Sequence, residues 1–271
     1  MINFFKRCVA YTLSIVGIVF TIIPEAFFES YKLNSNWSNT KSIIINRIIV
    51  ILAILALSIL FYALLLSLRN SVSIKGKNYC IKVKYGNIFD MKRYKKVIPF
   101  DECFTTIVGD KPSDINPDSI CGQYLIANPI QDMQSLINSA ELKPARSKSK
   151  YKSMDRYDSG TLLQKEDYLL LSFGKLTEDG LCRMTRDEYM DCLSLLWKEI
   201  NKYYGQKNIC IPILGSGVTR MAGETLTQQE LLDIIIESYK LSCHKIKLPN
   251  KLCIVCKRQD GFSINKIGEN L

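Results

Sequence analysis

The densest run of chemistry-bearing residues is Ile211-Pro-Ile-Leu-Gly-Ser-Gly-Val-Thr-Arg220, an apolar stretch that breaks into a Gly-Ser-Gly turn. Gly215 and Gly217 let successive backbone N–H groups converge on an anion, and Val218 continues the turn. Ser216, Thr219 and Arg220 add two hydroxyls and a guanidinium for a phosphate. No Gly-Lys-Ser/Thr follows, so the run is not a P-loop. It also lacks the GxGxxG continuation of a dinucleotide fingerprint. A plain tight turn is the competing reading.

A second candidate is Lys84-Tyr-Gly-Asn-Ile-Phe-Asp90, where an alternating segment, Tyr79–Val83, meets a Gly/Asn break. Other chemistries have little material. His244 is the single histidine, which leaves no multi-histidine metal site and no Cys–His nucleophile pair. No metal and no cofactor are expected. The ten cysteines are scattered through apolar surroundings, as reduced, buried thiols are. Cys253-Ile-Val-Cys256 has CxxC spacing but sits in an apolar run, and reads as strand packing.

Positioning these loops requires a framework, and the pattern after Val72 supplies one. Tyr168–Phe173, Asn208–Leu214 and Lys251–Cys256 read as strands, the first of them ending at Gly174. Thr185-Arg-Asp-Glu188 and Thr227-Gln-Gln-Glu230 are capping boxes that open helices. Tyr189, Leu193, Leu196, Ile200 and Tyr203 mark the inward face of the first, and Leu231, Ile234, Ile235 and Leu241 that of the second. Alternation of this kind predicts an α/β fold with a largely parallel sheet. Ligands of such sheets bind beyond the carboxyl ends of the strands, where both candidate loops fall. Lys92, Arg93, Lys95 and Lys96 read as a solvated or headgroup-facing patch, and Lys143–Lys152 as a mobile surface loop.

The first quarter of the chain is different. Ile48–Leu68 runs twenty-one residues without a charge, preceded by the apolar Cys8–Ile23. At about 1.5 Å per residue the longer run spans roughly 31 Å, matching a hydrocarbon core of about 30 Å. A signal peptide starting at Lys6-Arg7 is the competitor, but no small-x-small cleavage pattern follows and a longer apolar run does. Two spans forming a hairpin over residues 1–70, with a soluble domain over 71–271, is the expected organisation. Lys6 and Arg7 before the first span and Arg69, Lys75 and Lys77 after the second place both termini in the cytoplasm by the positive-inside rule. The chain carries a formal net charge of +10. Beside a membrane anchor, that balance suits an anionic bilayer or a phosphate-bearing ligand rather than nucleic acid.

Together the two loops resemble those of the macro domain, an ADP-ribose-binding module, over roughly Ser73–Phe262. The resemblance implies a three-layer α/β/α sandwich carrying an N-terminal two-helix transmembrane hairpin. It places Asn87, Ile88 and Phe89 around the adenine, and Asp101, Thr105, Thr106, Ile120, Gly122 and Gln123 along a first ligand loop. Gly215, Ser216, Gly217, Val218, Thr219 and Arg220 would hold pyrophosphate and ribose. Phe89 equally suits core packing, and Asp101 a helix or turn cap. Asn87 stands where the family usually has Asp. The Asn-rich, triple-glycine loop of the hydrolytic members is replaced by Phe100–Thr106 and Asp118–Tyr124, so binding rather than hydrolysis is implied.

A hairpin joined to such a domain is similar to the transmembrane-macro effectors of bacterial Thoeris antiphage systems. That resemblance implies an ADP-ribose-derived signal, a histidine conjugate made by a partner TIR-domain enzyme. It further implies homo-oligomerisation and damage to the inner membrane that aborts infection. A membrane-anchored ADP-ribosyl hydrolase is the alternative, with Asp101 and Glu102 as candidate acids.

Overall fold

A computed structural model describes residues 2–31, 37–217, 220–221 and 226–267. The chain divides into two compact units, Met1–Arg69 and Asn70–Ile267.

In the first unit, α1 (Ile2–Ile22) stops two residues before Pro24, which opens the short α2 (Glu25–Ser30). Ser38 then caps α3 (Asn39–Leu68), its hydroxyl accepting from the Lys41 N–H at 3.4 Å. α1 and α3 pack antiparallel. The Phe4 and Tyr62 rings lie 5.3 Å apart at one end, where Arg7 also donates to the Tyr62 hydroxyl at 3.1 Å. Leu13, Ile18, Leu52, Leu57 and Leu60 are exposed. A helix apolar all round is ordinarily buried in protein or in lipid, so both are candidate membrane spans.

α3 is longer than the uncharged run by its first nine residues, Asn39–Arg47. Arg47 lies inside the helix, with charge and ring contacts to α1 and α2. Its guanidinium lies 3.4 Å from Glu25 and over the Phe20 and Phe28 rings at 5.6 and 5.5 Å. Beside it, Asn46 donates to the Phe28 and Tyr31 carbonyls at 2.7 and 2.6 Å.

The second unit runs β1 (Ser71–Lys75), β2 (Cys80–Tyr85), β3 (Tyr94–Asp101), α4 (Ile120–Ala127), α5 (Met133–Ser139), β4 (Leu162–Lys165), β5 (Tyr168–Leu176) and β6 (Cys182–Met184). It continues through α6 (Arg186–Tyr203), β7 (Asn208–Pro212), β8 (Arg220–Met221), α7 (Gln228–Leu241) and β9 (Leu252–Cys256). One sheet takes the order β1-β2-β9-β7-β3-β5-β6-β8, with β4 against β5. The centre, β2-β9-β7-β3-β5, is parallel throughout, while β1 and β4 close onto it antiparallel.

Strand alternation feeds two cores. From β5, Leu169 and Leu171 join one core with Leu193, Leu196 and Trp197 of α6 and Leu232, Ile235 and Tyr239 of α7. Leu170 joins the other, with Tyr124 and Leu125 of α4 and Ile137 of α5. Helices therefore cover both faces, giving the three-layer α/β/α arrangement. Both capping boxes form, at Thr185 with Glu188 and at Thr227 with Glu230. Leu241, expected on the inward face of α7, is 83 % exposed at the end of its helix, while Leu232 and Ile236 point inward instead.

Two expectations need correction. Lys95 and Lys96 are not part of an exposed patch; they lie buried within β3. Lys95 donates to the Gln164 side chain at 3.1 Å and to the Tyr203 carbonyl, and the Lys96 ammonium sits 5.1 Å from the Tyr168 ring centroid. Long apolar stems let both lysines lie across a sheet while their ammonium groups reach a partner. The Lys143–Lys152 loop is also tied down: Ser149 is buried and donates to Glu102 at 2.5 Å, and the Ala145 N–H donates to the Arg156 carbonyl at 2.8 Å. The CxxC pair divides across the sheet, with Cys253 in the small core around Ile88 and Cys256 among the α6–α7 core residues.

Leu170 has no exposed surface. Leu170→Ala is expected to cost about 2–5 kcal/mol, read as a shift in the denaturation midpoint of the detergent-solubilised chain by Trp197 fluorescence.

Candidate functional site

The site begins where two strands stop pairing. β3 and β7 are hydrogen-bonded only across Tyr94–Lys96 and Asn208–Cys210. Further along, β3 places Pro99 opposite Leu171 of β5, and β7 places Pro212 opposite Val255 of β9. Proline has no N–H to give a ladder, so neither residue can bridge the gap between β3 and β7. Both line a cavity of about 750 Å3. The helices after β3 lie on one face of the sheet and α7, after β7, on the other, which makes this gap the topological switch point.

One wall is the turn after β7. Gly215 has φ +81°, the left-handed region that glycine enters without strain. The buried Tyr189 hydroxyl donates to the Leu214 carbonyl at 3.0 Å and fixes the turn from beneath. The Ser216 hydroxyl donates back to the Ile213 carbonyl at 2.7 Å, and a Cβ added at Gly217 would meet no atom within 4 Å among the described residues. Ile213, Leu214, Gly215, Ser216 and Gly217 all line the cavity.

Asp101 forms the facing wall. A register shift between Phe100 and Asp101 sets Asp101 opposite Gly174 of β5, a bulge that re-aims the end of the strand. Its carboxylate accepts from the Cys103 N–H at 2.8 Å, the Thr105 N–H at 3.3 Å and the Thr105 hydroxyl. Burial raises the Asp101 pKa, while the bonds from Thr105 and Cys103 act in the other direction. The carboxylate thus caps its own turn, and these bonds occupy the lone pairs a general base would use. Cys121 and Cys256 also stand in the lining. Burial pushes both thiols up, Cys256 to about 12, so neither is a nucleophilic thiolate at neutral pH.

A third wall is the segment from Gly109 to Ser119, of which residues 109–117 escaped the sequence reading. Its signal was Lys111-Pro-Ser-Asp-Ile-Asn-Pro-Asp118, dense in turn formers. A short bridge between Val108 and Ile115 closes the loop, and Ser119 caps α4 by accepting from the Gly122 N–H at 2.9 Å. Carboxylates of Asp101, Asp110, Asp114 and Asp118 stand in the lining with the ammonium groups of Lys111 and Lys257.

The expected site residues therefore separate. Asp101, Thr105, Ile120, Gly215, Ser216 and Gly217 meet at the cavity. Asn87, Ile88, Phe89, Thr106, Gly122 and Gln123 are not in its lining. Ile88 is buried against Met91, Cys210 and Cys253, with Phe89 packed beside it, and Asn87 accepts from the Phe89 N–H at 3.1 Å to cap the turn. Ile88 and Phe89 build core beneath β7 and β9, while Asn87 is exposed at the turn. Gly122 and Gln123 position the third wall: Gln123 donates to the Asp118 carbonyl at 2.8 Å, and the Asn116–Pro117 backbone rests on Gly122. Val218 and Thr219 lie outside the described residues, as does the side chain of Arg220, whose backbone opens β8.

A parallel-centred mixed sheet with helices on both faces, and a glycine-turned crevice at the switch point, defines a macro domain. The family model for the macro domain of Thoeris protein ThsA matches residues 81–257, and the chain belongs to that family. A relative, Thoeris protein ThsA of Bacillus amyloliquefaciens (strain Y2), is 29% identical over 232 residues, covering 81% of this chain and 77% of its own length. Among solved structures, the Oceanobacillus iheyensis macrodomain with ADP aligns at 11% identity and a TM-score of 0.46, over 70% of this chain and 89% of that one. A variant of that macrodomain with ADPR aligns at 11% identity and a TM-score of 0.45, over 70% and 91%.

A Cβ added at Gly122 would stand 2.2 Å from the Asn116 carbonyl oxygen and 2.9 Å from the Pro117 Cα. Gly122→Ala is expected to push this wall outward, at about 1–3 kcal/mol. Amide hydrogen exchange should quicken across residues 109–119 before it does elsewhere.

Proposed function

We propose that this chain is a membrane-anchored receptor and effector of Thoeris antiphage defence, whose crevice binds an ADP-ribose-derived signal. The observation that carries the reading is the Gly215-Ser216-Gly217 turn set against the gap between Pro99 and Pro212. Backbone N–H groups of that turn suit a pyrophosphate, and a crevice of about 750 Å3 falls in the range of small-molecule sites. Membership of the ThsA macro-domain family supports the defence context. A TIR-domain enzyme is the source of the signal, a histidine conjugate of ADP-ribose. Asp101, Thr105, Ile120 and the 215–217 turn contact it.

Binding drives the response only through unequal affinity for resting and active states. The filled crevice draws in the turn after β7 and the segment 109–119, favouring association of several copies. The hairpin is the output. Its two spans cross the inner membrane with both termini and the macro domain in the cytoplasm, and their clustering damages the bilayer. Hydrolysis is disfavoured by the capped Asp101 and the neutral thiols of Cys121 and Cys256.

Calorimetric titration of the purified chain with ADP-ribose and its histidine conjugate tests the receptor reading. Saturable binding is expected, with Gly217→Glu abolishing it by placing an anion in the phosphate turn. No detectable binding at about millimolar ligand, where the free energy would be weaker than about 4 kcal/mol, sinks the proposal. Accumulation of free ADP-ribose from a modified substrate would favour the hydrolase instead.

Topology is tested by labelling with a membrane-impermeant maleimide. Thr40→Cys, in the turn of α3 nearest the connecting loop, should react in intact spheroplasts, while the exposed Cys243 should react only after permeabilisation. The reverse pattern would overturn the orientation.

A further inference from the structure

A second hollow, of about 640 Å3, lies across β6 from the crevice. Cys182 of β6 lines the crevice, Arg183 and Met184 line the hollow, and Leu176 of β5 stands in both linings. Five cationic side chains stand in its walls: Lys148, Lys150, Arg156, Lys175 and Arg183. The two carboxylates among them, Glu102 and Glu188, are already committed. Glu102 is buried and accepts from the Ser149 hydroxyl at 2.5 Å, the Leu176 N–H at 3.1 Å and Arg156 at 3.4 Å. Glu188 accepts from Lys175 at 2.5 Å with one oxygen and from the Thr185 N–H at 2.7 Å with the other.

Lys148 pairs with Asp155, but among the described residues neither Lys150 nor Arg183 has an ion-pair partner. Thr185, the cap of the eighteen-residue α6, lies in the same wall and adds the positive end of the helix. The hollow is thus cationic, while the described residues of the crevice lining include four aspartates and two lysines. A concavity lined by one sign of charge raises the local concentration of the opposite ion.

We propose that this hollow is a second binding site, for a phosphate-bearing anion held by Lys150, Lys175, Arg183 and the α6 N-terminus. The shared chemistry is a phosphate ester, which a free phosphorylated solute and an anionic lipid headgroup both carry. The site stands on side chains other than those of the crevice, so it does not depend on what the crevice binds. Glu102 and Ser149 hold the loop that brings Lys148 and Lys150 to it, which gives the buried carboxylate a positioning role.

The test uses the full-length chain in neutral detergent on the Gly217→Glu background, which silences the phosphate turn of the crevice. Calorimetry follows titration with inorganic pyrophosphate and, separately, with dioctanoyl phosphatidylglycerol. Saturable binding of at least one probe is expected, weakened about tenfold or more by the charge reversals Lys150→Glu and Arg183→Glu together. Both residues are exposed, so the double variant should keep its fold, and Arg183→Lys should keep most of the affinity. Binding of pyrophosphate alone assigns a free anion, and binding of the lipid alone assigns a headgroup. Failure of both probes to bind, or equal binding by the charge-reversed protein, overturns the proposal. In the chain with Gly217 unchanged, absence of ADP-ribose binding with pyrophosphate binding intact would count against the crevice reading only.

Discussion

The site depends on an early parting of two strands. β3 and β7 share hydrogen bonds over three residue pairs and then carry Pro99 and Pro212 where the ladder would have continued. Each proline still pairs on its other side, Pro99 with Leu171 and Pro212 with Val255. Had either position carried an N–H, the strands could have zipped further and closed the gap. The crevice is therefore an opening in the sheet's hydrogen bonding, and the glycine turn, the bulge at Asp101 and the loop after Thr105 are arranged around its rim.

The rim is held by second-rank contacts rather than by its own residues. Tyr189 holds the turn through the Leu214 carbonyl, Gly122 makes room for Asn116, and Gln123 takes the Asp118 carbonyl. These supports come from α6 and α4, on opposite faces of the sheet, so the two cores meet at the crevice through its walls. Perturbing either core moves a wall. Such an arrangement gives a bound ligand leverage on both helical layers.

Much of the fold was legible because its signals are local. Capping boxes, the apolar runs of β5, β7 and β9, and the helical spacing in α6 each act over a few residues, and all formed. β3 was missed because Tyr94-Lys-Lys-Val-Ile-Pro-Phe hides a central strand behind two lysines and a proline. Its lysines are buried by long-range partners, Gln164 and Tyr168, that no window of sequence contains. The glycine turn was legible as a site element because glycine spacing speaks for itself. The wall from Gly109 to Pro117 was not, since turn formers announce a loop without saying what it faces. Asn87, Ile88 and Phe89 are set near the ligand by family likeness alone; in the fold the Ile88 side chain packs under β7, a contact that no local pattern announces.

The two apolar helices are joined at more than their connecting loop. Both ends of the helix pair are clasped: Arg7 to Tyr62 at one, and Arg47 and Asn46 to Glu25, Phe28 and Tyr31 at the other. A pair fastened at both ends resists splaying, so its two helices move together as one body rather than as two independent rods.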